Sequence, residues 1–412
     1  MRAMVTSSKV ARRSRGFSSA LLLAAVTAAW SCTSVATDPV VDERGGSAGS
    51  GAPVHAGATA RARFEPEDGR VLHFAGGTVG QDDAVATYTR MTGPERAPVG
   101  IAMWMSLPGT RPYNMALRRL AGTLDQAKNL GQALNLTIDF RHKDVAGFST
   151  AKDQEFVESN LYDDLVLQTA RMIQSKGVPV LLRIGGELNG EWEGLHPYVF
   201  PRAYRKFVEL FRSVGVEHVA FVWCVEARGD EALEEYDAAG NPRWYPGDEW
   251  VDWLGLDVFA VQHFDERSAA RTGRGRGAAE TTITQTLLRM AREKRKPVLI
   301  GETTPLNMNI PAAERDPKGI RGQAICDAWF TPFSRFLDAH PEIKGVTMLS
   351  VDWTKTKEWT TWGDARIHNN PRVSEVWRAE LDRPRWIHLP EWRKQNGYVA
   401  PPAGTEAPRR RG

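Results

Sequence analysis

Residues 178–187 read Val-Pro-Val-Leu-Leu-Arg-Ile-Gly-Gly-Glu, and residues 296–302 read Lys-Pro-Val-Leu-Ile-Gly-Glu. Each is a short, continuous apolar run that ends in glycine followed by an acid. A run apolar on both faces marks a parallel strand covered on both sides. The glycine lets backbone or a ligand come close, and the acid is then carried at the strand's C-terminal end. Similar runs recur at Val71–Ala75, Val99–Trp104, Leu134–Ile138, Val219–Trp223, Leu254–Val258 and Val346–Leu349, making eight in all.

The intervals between the runs carry helical periodicity. Leu161, Leu165, Met172 and Ile173 share a face, and Gly177 follows as a C-cap. Pro201 opens a segment in which Ala203, Phe207, Leu210, Phe211 and Val214 recur at helical spacing. Ile283, Leu287, Met290 and Ala291 repeat the pattern ahead of Lys296. Eight strands alternating with helices over residues 70–385 predict a single (β/α)8 barrel. A doubly wound sheet would want a phosphate-binding glycine fingerprint after its first strand. Gly76-Gly77-Thr78-Val79-Gly80 does not supply one.

The 412 residues include 53 Lys+Arg, 50 Asp+Glu and 3 Cys, for a formal charge of +3. A balance this close to neutral excludes a nucleic-acid partner held mainly by a basic field. The charge is unevenly placed, because residues 1–31 hold Arg2, Lys9, Arg12, Arg13 and Arg15 and no acid. They precede the apolar run from Ala20 to Trp30, which is about half the ~20 residues a bilayer span needs. The pattern predicts an export signal over 1–31, and Cys32 just beyond it is a candidate lipid-attachment residue of the bacterial lipoprotein kind. Without that signal the chain holds 48 basic against 50 acidic side chains, a formal −2. Residues 32–69 are rich in Gly, Ala and Ser and read as a tether, and 386–412 as an extension and tail ending in Arg409–Arg411. Cys224 and Cys326 read as two separate buried thiols, with no Cys/His cluster for a metal. The expectation is therefore a monomer with no metal or cofactor, exported, and touching a membrane only through a lipid on Cys32.

In a barrel of this kind chemistry sits just past the C-terminal strand ends. Glu187 ends the fourth strand and Glu302 the seventh, across the mouth from one another. Two acids aimed at one mouth suggest glycoside hydrolysis, one protonating the leaving oxygen while the other attacks the anomeric carbon. Taken singly, a strand-end glutamate can equally bond a loop amide or pair with Arg183. Trp192, Trp223 and Trp353 are candidate platforms for sugar rings, with Trp359 and Trp362 on the loop after Trp353, because an indole face stacks on the C–H face of a pyranose. Asn189 is a candidate donor to a sugar hydroxyl, or else a loop-holding residue. Trp250, Trp253, Trp329 and Trp377 fall within helical or strand patterns and read as packing.

Several segments together resemble glycoside hydrolase family 26, the β-mannanase family of the retaining (β/α)8 clan. They are Arg183–Gly190 with Glu191-Trp192, then Tyr204-Arg-Lys-Phe, Tyr245-Pro-Gly-Asp-Glu-Trp, Lys296–Glu302 and the strand end at Trp353. The resemblance implies Glu187 as acid/base, Glu302 as nucleophile and a β-1,4-mannan as substrate. Another β-glycan or a xylan is the alternative substrate, and a non-catalytic glycan-binding surface protein the alternative function. Two positions depart from the family pattern: Gly186 stands where His is usual, and Phe259 where a Tyr hydroxyl orients the nucleophile. His263 is a candidate substitute donor, or an ordinary loop histidine.

Overall fold

The computed structural model describes residues 61–399 apart from 78–82, 108–112, 144–148, 228–232, 234–235, 239, 266–276 and 357–358. The expected export signal, Cys32, most of the tether and the terminal arginines lie outside the described residues.

The eight expected strands are all present: β1 (Val71–Gly76), β2 (Gly100–Ser106), β3 (Ala133–Asp139), β4 (Val180–Ile184), β5 (Val219–Glu226), β6 (Trp253–Val258), β7 (Val298–Thr303) and β8 (Ile343–Leu349). Each pairs in parallel with the next, and β8 returns to β1 with Leu72 opposite Gly345, which closes the barrel. The helices run over Ala84–Thr92, Tyr113–Leu130, Asp163–Lys176, Phe200–Ser213, Gly277–Lys294, Ile320–Ala339 and Pro371–Leu381, the sixth passing through a π-helical turn at Cys326–Phe330. Gly177 ends the third of them in the left-handed conformation that favours glycine, and Pro201 lies in the first turn of the fourth. Phe207 and Phe211 from that fourth helix, and Leu287 and Ala291 from the fifth, are buried in the layer between strands and helices. Cys224 and Cys326 are free and buried.

Alternation along the strands divides the barrel interior into two halves. At the N-terminal ends, Leu72, Phe74, Ala133, Leu181, Ala220, Val222, Trp253 and Leu299 fill the axis with apolar side chains. Toward the C-terminal ends the inward positions become polar. Asn135 donates to the Gly301 carbonyl at 3.0 Å and to the Thr347 hydroxyl at 3.0 Å, and Arg183, Asp257 and Glu226 follow, all buried. One barrel thus has an oily floor and a charged mouth.

The floor is closed from below by chain that the sequence pattern places outside the barrel. Ala62 and Phe64, expected in the tether, pack against the interior cluster, and the Trp253 indole N–H donates to the Arg63 carbonyl at 2.8 Å. From the other terminus β9 (Trp386–Ile387) pairs with β1, and the helix Leu389–Gln395 brings Trp392 edge-on to Phe64 at 6.5 Å. The tether and the tail are therefore folded over 61–69 and 386–395. Trp392→Ala removes a large buried side chain from this plug and is expected to lower stability by about 3–5 kcal/mol in urea denaturation. An unchanged midpoint would mean the plug does not belong to the barrel's core.

Candidate active site

Arg183, on β4, points up the barrel axis with 1% of its side chain exposed. Its Nη1 donates to Glu302 Oε1 at 2.8 Å, and its Nη2 makes a short contact with Asp257 Oδ2. The backbone has been shaped for this pairing. A Cβ on Gly301 would lie 2.6 Å from Asp257 Oδ1 and 2.9 Å from the Arg183 guanidinium, so only glycine leaves room there. The register of β7 slips between Ile300 and Thr303 against both β6 and β8, a bulge that re-aims Glu302 relative to a regular strand.

Glu187 reaches the same mouth by a different device. Gly185 and Gly186 both have positive φ, +85° and +68°, and turn the chain off the end of β4. A Cβ on Gly186 would sit 2.8 Å from the Trp104 ring and 3.0 Å from Glu193 Oε1, so those two side chains occupy the space a residue there would need. The turn is tied to β5 by Leu188 N–H to the Cys224 carbonyl at 3.1 Å. Glu187 is left 9% exposed, with the Trp192 indole N–H donating to its Oε2 at 2.7 Å. Burial pushes the Glu187 carboxyl well above the usual range, and the charges of Asp257, Glu226 and Glu302 push it further, with Arg183 opposing. Burial also raises Asp257, against the pull of Arg183. The mouth therefore holds one carboxyl suited to keeping a proton, Glu187, and one paired with a guanidinium and 19% exposed, Glu302.

A second charged cluster lies beside Glu187. Arg141 bridges Asp139 at 2.8 Å and Glu193 at 3.1 Å, and the Trp104 N–H donates to Asp139 at 2.5 Å. The Arg141 and Arg183 guanidinium carbons lie 5.2 and 5.7 Å from the Trp104 ring centroid, so this indole links the two clusters. Burial raises Glu193 well above the usual range. Sequence reasoning missed this cluster. Trp104 closes an apolar run and reads as core, and the partners of Glu193 come from another strand end. Glu226 was missed too, although its place two residues after the inward Cys224 gives its direction.

Of the sequence-predicted residues, Glu187, Glu302 and Trp192 converge on the mouth, Trp223 and Trp353 do not serve as the expected platforms, and Asn189 takes the second of its two expected roles. Trp223 is a correction. Its neighbours Val222 and Cys224 point inward, so Trp223 faces the helix layer, fully buried, with its N–H on the Trp244 carbonyl at 3.1 Å. Trp353 is 6% exposed, packed against Trp362 at 5.1 Å and bonded to the Thr304 hydroxyl at 3.3 Å, which leaves little face for a sugar. Asn189 holds the loop: its amide donates to the Glu226 carbonyl at 2.8 Å and accepts from the Glu226 N–H at 2.7 Å. His263 accepts from the Phe259 N–H at 3.0 Å, a loop-fixing bond. Trp253, Trp329 and Trp377 are buried as expected of packing residues.

A closed (β/α)8 barrel with two glutamates at the ends of strands 4 and 7 has the layout of a glycoside hydrolase. The model of glycosyl hydrolase family 26 matches residues 131–272, which include Glu187 and end before Glu302. Among curated proteins, a β-1,3-xylanase of a Vibrio species is 25% identical over 340 residues, 78% of this chain and 68% of that protein. A β-1,3-xylanase of an Alcaligenes species is 27% identical over 239 residues, 54% of this chain and about half, 47%, of that protein. Among solved structures, an endo-β-1,4-mannanase from Cellulomonas fimi superposes with a TM-score of 0.53 at 18% identity, covering 79% of this chain and 73% of that one. A β-mannanase from Bacteroides ovatus superposes with a TM-score of 0.50 at 14% identity, over 78% and 91%. These two likenesses are of fold. The family model and the curated relatives thus support the resemblance to glycoside hydrolase family 26 read from the sequence.

Gly301→Ala would drive a methyl group into the Arg183–Asp257 pair. The expected loss is about 2–3 kcal/mol of unfolding free energy, from overpacking against a buried ion pair. Wild-type stability in this variant would show that the pair does not depend on the glycine.

Proposed function

We propose that the chain is a retaining glycoside hydrolase that cleaves a β-linked polysaccharide, with Glu187 as acid/base and Glu302 as nucleophile. The observation that carries the reading is the contrast between the two carboxyls: Glu187 is buried among acidic groups that favour its protonated form, and Glu302 is held on Arg183. In the first step the Glu187 proton passes to the glycosidic oxygen as the C–O bond breaks, and a Glu302 oxygen bonds the anomeric carbon. In the second, Glu187, now a carboxylate, takes a proton from water whose oxygen displaces Glu302. The Trp192 N–H holds Glu187 Oε2 through both steps.

For the substrate, the resemblance alone suggests a β-1,4-mannan, and the fold neighbours from Cellulomonas fimi and Bacteroides ovatus are mannanases. The curated relatives are β-1,3-xylanases and match at higher identity, 25% and 27% against 18% and 14%. We therefore place β-1,3-xylan first and β-1,4-mannan second. Export through residues 1–31, with Cys32 as a lipid-attachment residue, belongs to the same reading, since such polymers lie outside the cell. Among the described residues no helix is long and apolar enough to cross a membrane.

The test is sugar release from β-1,3-xylan, β-1,4-mannan and a mixed-linkage β-glucan, with the anomer of the first product read by NMR. Retention is expected. Glu187→Gln and Glu302→Gln should each lower the rate by at least about a thousandfold with the fold intact. Because Glu187 must be protonated in the first step, the wild-type rate should fall on the alkaline side as pH rises through its elevated pKa. Full activity in either variant, or an inverted product, rejects the mechanism. Binding of a glycan without release supports the non-catalytic reading.

A further inference from the structure

The loop after β8 carries an aromatic array that starts at the site and runs outward. Trp353 donates to the hydroxyl of Thr304, two residues past Glu302. Trp362 lies 5.1 Å from Trp353 and 5.0 Å from Phe259 at the end of β6, and Trp359 lies 5.0 Å from Trp362. Burial falls along this line: Trp353 is covered, and Trp362 and Trp359 are each half-buried. Water thus meets two tilted indoles backed by a buried third.

The described residues of the loop are braced. Arg366 bridges Asp364 at 2.7 Å and Asp352 at 3.1 Å, and Asp352 pairs across an antiparallel bridge with Asp364. The Trp353 backbone N–H donates to the Gly363 carbonyl at 3.1 Å, and the Asn307 backbone N–H donates to the Trp362 carbonyl at 2.9 Å. Rings fixed in this way lose little freedom when a ligand stacks on them. Beyond the loop, Gly363 abuts Met308 and Asn309, which with Arg321 and Ile325 line an open cleft of about 440 Å³. The cleft has an apolar floor with one amide and one guanidinium at its edges, a combination that suits a pyranose: C–H face below, hydroxyls to the polar groups.

We propose that Trp359 and Trp362 form a distal subsite for a sugar unit of the substrate chain, away from the bond being cleaved, and that the cleft behind them receives the next unit. The occupant is the continuation of the same neutral β-glycan, so the proposal rests on the glycosidase reading. A distal subsite acts only on chains long enough to reach it.

The experiment compares Trp359→Ala with wild type on linear β-1,3-xylan, β-1,4-mannan and their oligosaccharides of graded length. Trp359 is chosen because, among the described residues, its ring packs on Trp362, whereas Trp362 also supports Phe259 and Trp353. The ratio of kcat/KM on the polymer to kcat/KM on the shortest cleaved oligosaccharide should fall about tenfold, the loss of one stacking contact. A second variant, Ala328→Phe, fills the cleft and should lower the same ratio without touching the tryptophans. A ratio unchanged in Trp359→Ala overturns the subsite, as does an equal loss at every chain length. If wild type cleaves none of these glycans, the glycosidase reading fails separately, and affinity electrophoresis in the same polysaccharides decides the subsite. Retardation weakened by Trp359→Ala supports it, and retardation unchanged or absent overturns it.

Discussion

One buried guanidinium organises the mouth of this barrel. Arg183 takes Glu302 on one nitrogen and Asp257 on the other, with Glu187 and Glu226 in the same electrostatic field. Ions buried this deeply are costly unless paired, and one cation cannot satisfy four acids at once. The negative charges of Asp257, Glu226 and Glu302 act together on the buried Glu187 and favour a proton there. The rest of the mouth accommodates that arrangement. Gly301 lacks the side chain that would part Arg183 from Asp257, the β7 bulge brings Glu302 round, and the Gly185-Gly186 turn delivers Glu187 from the end of β4, the strand that carries Arg183.

The two positions that depart from the family pattern are occupied in physical terms. At Gly186 the missing side chain is replaced in space by the Trp104 ring and Glu193, themselves fixed by Asp139 and Arg141. At Phe259 no hydroxyl exists to orient Glu302, and the contact on Glu302 is Arg183; the Phe259 ring instead backs Trp362. Near the acids these two positions leave an indole within reach of two guanidinium groups and an aromatic wall.

All eight strands were legible in the sequence because parallel strands covered on both faces are continuous apolar runs, which need no knowledge of partners. The two glutamates were legible for the same reason: each ends such a run behind a glycine. Trp223 was misplaced because a continuous apolar run hides which face a residue takes, and the face is set by the inward turn of Val222 and Cys224. Trp353 was placed at the right strand end, but its burial depends on Trp362, nine residues on, folding back over it. The Trp104–Asp139–Arg141–Glu193 cluster joins three strand ends and has no local pattern. The plug of Phe64 and Trp392 unites segments more than 300 residues apart in composition typical of tails.

The claim on which the account turns is that Glu187 holds its proton where an ordinary glutamate has lost it. It can be read without any substrate, by NMR titration of the protein labelled with ¹³C at the glutamate side-chain carboxyls, the Glu187 resonance being assigned by its loss in Glu187→Gln. The account predicts a midpoint well above the usual carboxylate range, lowered when Asp257→Asn removes one neighbouring charge. A Glu187 resonance that titrates at or below about 4.3, the ordinary glutamate value, would contradict it.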